Sequence, residues 1–167
     1  MKLERIGFAF TLIYLCVLMI LVGAFIFDVS IMYPNMFRDV PRSLELRTEF
    51  LAVRQIGDFM RPVGFLTWLT GIGALILGWR VRSARYWILG SLLMQVCLGL
   101  FSMAFLWDLN TIMYTEGTAV HSVAFLQQTA DKFQMLNWVR VALNVAATVV
   151  AFVGFLKFHR HRIMSQS

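Results

Sequence analysis

The stretch Leu136 to Leu156, "LNWVRVALNVAATVVAFVGFL", decides how this chain is read. Its second half can sit in hydrocarbon, whereas its first half carries an arginine and two asparagines. Asn137, Arg140 and Asn144 are spaced i, i+3, i+7, with Thr148 four residues further on, so a helix lines them up as one stripe. Val139, Val141, Val145 and Val149 fall on its other faces. Roughly 25 Å of helix, at 1.5 Å per residue, separates Arg140 from Lys157. If Lys157 marks one membrane interface, Arg140 lies just inside the other.

The rest of the chain agrees with a membrane setting. Of its 167 residues 59% are hydrophobic and 14% charged, and the mean hydropathy is +0.72. Soluble domains are nearer 45–50% apolar and about 25% charged. The net charge of +6 sits on basic residues beside apolar runs, where such residues orient a membrane protein; nucleic acid is not an expected partner. Cys16 and Cys97 lie in the middle of apolar runs and are expected to be small buried residues. No CxxC, HExxH or glycine-rich phosphate loop is present, and no convergent metal ligands can be nominated. The opening "MKLERIGFAFTLIYLCVLMILVGAFIF" has an apolar run longer than the ~7–15 residues of a signal peptide and no A-x-A site, so it is expected to stay as a transmembrane helix.

Four segments are long enough to span about 30 Å of hydrocarbon: about 6–28, 63–79, 86–107 and 137–158. The first is open to continuation past Asp28 toward Tyr33. The expected fold is all-α, a single domain over residues 1–167. It is an integral membrane four-helix bundle of up-down topology, multi-pass, in a bacterial inner membrane or its equivalent. Arg80, Arg82 and Arg85 crowd the turn between the second and third spans. Lys157, Arg160 and Arg162 follow the fourth, and Lys2 and Arg5 precede the first. The positive-inside rule then puts both termini in the cytoplasm. The first outer loop carries Arg38, Arg42, Arg47, Arg54 and Arg61, nearly balanced by Asp39, Glu45, Glu49 and Asp58.

That loop contains an amphipathic segment, about 39–60, in which Leu46, Phe50, Val53 and Met60 share a helical face. Gly57 is a candidate bend, and the helix is expected to end before Pro62. The third loop holds "SVAFLQQTADKFQML", expected to run unbroken into the last span. Thr70, Ala74 and Gly78, flanked by Thr67 and Gly71, suit close helix packing. The ten methionines read as core filler. The five tryptophans read as an interfacial belt.

Arg140 needs a reason, since an arginine inside the bilayer costs a few kcal/mol unless it snorkels or is paired. Both readings stand. For pairing, Asp28, Asp108 and Asp58 end or begin neighbouring helices at the same depth, and Asn110 lies beside Asp108. Ser91, Gln95 and Ser102 on the third span, with Tyr14 on the first, supply either hydrogen-bonding groups for a pocket or plain interhelical bonds. His121 reads either as a proton-transfer group or as a solvated loop residue.

A helix ending in "WDLN" (Trp107 to Asn110), an outer loop, the aromatic Phe133, and then N-x-x-R as Asn137-Trp138-Val139-Arg140 resemble the anthrone oxygenase-like family of small four-helix membrane proteins. The turn "SIMYPNMF" after the first span fits as well. Leu136 stands where that family usually has tryptophan. The resemblance implies a monooxygenase, an oxidoreductase that uses O₂ to oxidise an anthrone- or quinol-like aromatic with no metal and no cofactor.

On that reading Arg140, Asp108 and His121 are catalytic. Arg140 stabilises a phenolate or enolate, held by Asp108 or Asp28, while His121 or an aspartate takes the proton. Asn137, Asn110, Asn144, Trp138 and Asp28 bind substrate. The partners are the lipid bilayer, a small aromatic substrate and a candidate second copy of the chain. The competing expectation is a non-catalytic membrane subunit, assembly factor or lipid-binding module.

Overall fold

The computed structural model describes residues 2–165, and among these no strand occurs. Helix α1, Lys2–Phe27, continues through a π-helical turn, Asp28–Met32, into the short turn Tyr33–Met36. Helix α2 is Arg42–Phe50, α3 is Ile56–Leu77, α4 is Arg82–Phe105 and α5 is Val123–Met164. Between α4 and α5 run the short helix Trp107–Thr111, a second π turn at Ile112–Glu116, and Gly117–Val120. Extended α1, α3, α4 and α5 are long and apolar enough to cross a membrane. Helices suit that setting because hydrocarbon offers the backbone no hydrogen-bond partner.

Several boundaries differ from those expected. The amphipathic segment is shorter: α2 stops at Phe50, and α3 begins at Ile56 rather than near Val63. The cause is local capping. The Asp58 carboxylate accepts the Gln55 backbone N–H at 2.9 Å, so the chain starts a helix there, and Gly57 lies inside it rather than at a bend. Pro62 also lies inside α3, where it removes one backbone hydrogen bond within two turns of the start. The lead-in to the last span is continuous, giving a helix of 42 residues whose first turn is closed by Ser122 Oγ accepting the Phe125 N–H.

Helix α5 packs between α4 and α1, and α1 also packs on α3. Two apolar clusters form the interior. At the basic end Tyr14, Leu18, Ile88, Ala151 and Phe158 meet. At the Arg140 end Leu21, Phe25, Tyr33, Leu106, Phe133 and Val141 meet. Thr67, Thr70, Gly71 and Ala74 are the buried stripe of α3, and Gly71 lets the Tyr14 ring approach to where a side chain would stand. Between the clusters lies a polar layer. Tyr14 Oη and Ser91 Oγ are 2.8 Å apart, and Ser91 Oγ donates to the Ala147 carbonyl. Gln95 Nε2 donates to Asn144 Oδ1 at 2.6 Å, while Ser102 turns to its own helix at the Leu98 carbonyl.

One burial expectation is corrected. Cys16 and Cys97 are exposed on the helix surfaces; each falls just off the stripe its helix turns inward. On α2 it is Leu44 that is buried, while Leu46 and Phe50, and Val53 just beyond the helix, face outward, Phe50 at 81% exposure. The apolar side of the loop therefore points away from the bundle.

Candidate functional site at the Arg140 end

The site is built on α5. Asn137 Nδ2 donates to the Phe133 carbonyl one turn back at 2.9 Å, which fixes the amide so that its oxygen faces Arg140. Arg140 Nη1 donates to that oxygen at 3.3 Å. The guanidinium carbon then lies 3.9 Å from the centre of the Phe25 ring. Arg140 Nε is buried and has no acceptor. Among the described residues no carboxylate makes ion-pair contact with this arginine, although Asp28 and Tyr33 act on it electrostatically.

Those two neighbours are placed by the π turn that extends α1. The Tyr33 N–H bonds back to the Asp28 carbonyl, five residues rather than four, and this wider turn leaves Asp28, Val29 and Tyr33 all buried. Such turns are frequent at functional sites. The Tyr33 ring meets Phe133 edge-on at 5.2 Å and Phe37 at a tilt of 31° and 5.8 Å.

A second cation stands beside the first. Arg47 of α2 lies over the Tyr114 ring at 3.9 Å, and its Nε is likewise buried without an acceptor. Tyr114 belongs to the second π turn. Its hydroxyl is buried and unpartnered, and burial pushes its pKa up, so it stays a neutral donor. Tyr33 is electrostatically coupled to Asp28, Arg140, Tyr114 and Arg47 together. The end of the bundle thus gathers two arginines with spare N–H groups, one carboxylate and two phenols among aromatic walls. A group of this kind suits a small molecule that carries an oxygen acceptor on an apolar body.

Of the residues singled out in the sequence, Arg140, Asn137 and Asp28 come together here. Asp108 does not: it is exposed on the short helix whose inward residue is Leu109. Asn110 Nδ2 is spent on the Leu106 carbonyl at 2.8 Å, closing the break after α4. His121 pairs with Glu116 at 2.5 Å, away from Arg140, and Glu116 lines a cavity of about 200 Å³ against α2 that Tyr114 also lines. Asn144 is fully buried in the polar layer with Gln95, and its Nδ2 has no acceptor. Trp138 is 54% exposed on the outside of α5.

Sequence reasoning passed over Phe25, Tyr33, Arg47 and Tyr114. Arg47 left a trace as one of the five arginines of the first outer loop, and Tyr33 as part of the turn "SIMYPNMF" after the first span. Among the described residues, no group of three or more His, Cys, Asp or Glu side chains converges.

No family model matches the chain, and neither a curated protein nor a solved structure matches it significantly.

Proposed function

We propose that the chain is a multi-pass integral membrane protein of up-down topology with both termini in the cytoplasm, and that its Arg140 end, on the outer side, binds and oxidises a flat, apolar, phenol-like molecule. The observation that carries this is the Arg140 guanidinium. It is held by Asn137 and Phe25 rather than by a carboxylate, with a buried Nε left unpartnered. A positive charge that is placed but not neutralised is suited to an oxyanion that develops during reaction.

The reaction class follows from the resemblance of the short motifs at Trp107–Asn110 and Asn137–Arg140 to the anthrone oxygenase-like family. Asp28 is the base within electrostatic reach of Arg140. It takes a proton from the activated CH₂ of the substrate, and Arg140 stabilises the resulting enolate. The carbanion adds O₂, the hydroperoxide formed takes up the proton, and loss of water leaves a ketone. One CH₂ and one O₂ thus become one C=O and one H₂O. No metal or cofactor is required by this balance.

The test is oxygen uptake with anthrone by protein in lipid nanodiscs, with native mass spectrometry for molecules that co-purify. Turnover in the native chain and its loss in Arg140→Gln, with the thermal midpoint of unfolding retained, support the reading. Equal turnover in both chains would overturn it.

A second reading, a non-catalytic lipid-binding subunit, is favoured by the outward-facing Leu46, Phe50 and Val53 of the α2 region, which suit an interface. In that case no small aromatic co-purifies, and Arg140→Gln impairs assembly alone.

A further inference from the structure

The Arg140 end has an opening on its flank. Gly23, Ala24, Phe27 and Asp28 of the first span face Phe59 and Met60 of α3 across a groove of about 450 Å³. That is within the size range of small-molecule sites. Asp28 is the one ionisable side chain on its walls. It is only 5% exposed, and among the described residues its carboxylate accepts no hydrogen bond and touches no cation. A buried acceptor in apolar surroundings is costly until a donor reaches it. The floor is open: nothing lies within 4 Å of where a Gly23 side chain would begin. Phe59 is an exposed residue in the first turn of a helix able to cross a membrane, and the groove lies on the flank where that helix faces the first span.

The chemistry of the walls selects the occupant. A phospholipid would bring an anionic phosphate to a carboxylate, and its acyl chain has no donor. A neutral molecule with a flat apolar body and one hydroxyl matches both the phenylalanine walls and the acceptor. Asp28 lies three residues from Phe25, whose ring Arg140 covers, and Arg140 acts on its carboxylate electrostatically, so the groove's one charged wall is within reach of that guanidinium's field.

We infer that the groove between the first span and α3 is a lateral doorway and holding site for a neutral, hydroxyl-bearing aromatic molecule dissolved in the bilayer, whose hydroxyl donates to Asp28. This rests on the reading of the Arg140 end as a binding site, and it adds the route and the first contact.

The experiment is photolabelling of nanodisc-embedded protein with 4-hydroxybenzophenone at mildly acidic pH, where its phenol is neutral, read by peptide mapping. The expected result is saturable labelling of the peptides holding Gly23 to Phe27 and Ile56 to Met60. 2-Naphthol should compete and 2-methoxynaphthalene should not. Gly23→Phe, whose Cβ would have nothing within 4 Å, puts a ring into the groove and should cut that labelling about tenfold, while Asp28→Leu should abolish the preference for the hydroxyl compound. Labelling that Gly23→Phe leaves unchanged, or that maps only to the loops, overturns the doorway. If that same labelling falls in Arg140→Gln, the binding site at Arg140 survives without the doorway. Labelling lost in Gly23→Phe but intact in Arg140→Gln upholds the doorway and sinks the role of Arg140. A native chain with no saturable labelling sinks both.

Discussion

Arg140 sits face-on above Phe25, its guanidinium carbon 3.9 Å from the ring centre, and Arg47 repeats the arrangement on Tyr114 at the same distance. In each pair an aromatic face does what a carboxylate does elsewhere. It steadies the charge but leaves the buried Nε without an acceptor. Such contacts contribute about 0.5–2 kcal/mol. Phe25→Leu should therefore lower stability by about 1–2 kcal/mol, and by less when Arg140 is already Met. A double-mutant cycle of thermal or denaturant unfolding measures the difference; additive effects would show that the ring contributes only its bulk.

The bond between Gln95 and Asn144 ties α4 to α5 in the middle of the bundle. Interhelical bonds of this kind in membranes average about 0.6 kcal/mol and reach about 1.7. Asn144→Leu alone leaves the Gln95 amide buried without its acceptor, so it should cost more than the pair Gln95→Leu and Asn144→Leu made together. Unfolding midpoints of the three variants decide the order.

Gly7 meets the backbone of the other helix: a side chain there would lie 2.9 Å from the Leu77 carbonyl carbon. Backbone cannot swing aside, so Gly7→Ala should push α1 off α3 and cost about 1–3 kcal/mol. Gly64, with nothing within 4 Å, should accept alanine without loss. Comparable thermal midpoints for the two variants would rule out this close approach.

Tyr114 predicts an alkaline limit. Its pKa is raised by burial in the fold, whereas the unfolded chain loses the proton near pH ~10. Above that pH the folded form holds more protons, so stability falls as pH rises. Tyr114→Phe keeps the ring under Arg47 but removes the proton. Its thermal midpoint should decline less steeply on the alkaline side and match the parent's pH dependence near neutrality. Parallel curves throughout would mean that Tyr114 ionises freely.

The spans were legible because hydrocarbon needs long apolar helices, and the run-on of "SVAFLQQTADKFQML" into α5 was legible because nothing in it breaks a helix. The stripe that joins Asn137 to Arg140 was also readable, being set by local helical spacing. Its partners were not. Asp108 sits one residue before Leu109, and once the chain kinks at Leu106 that register turns the leucine inward and the carboxylate out. Trp138 is next to Asn137 and so points elsewhere. Tyr33 and Tyr114 owe their place to π turns, which widen a helix by one residue and leave no mark in a pattern of three and four. Arg47 was counted as a loop charge because nothing local tells a stacked arginine from a solvated one.

The unbroken run of α5 from Val123 to Met164 is about 63 Å of helix, roughly twice the thickness of hydrocarbon. It is therefore a lever as well as a wall. Asn137 and Arg140 lie toward its middle, and His161 and Arg162 close its last turn. With no break between them, the arginine and the basic tail belong to one rigid rod, and a tilt at either carries the other with it.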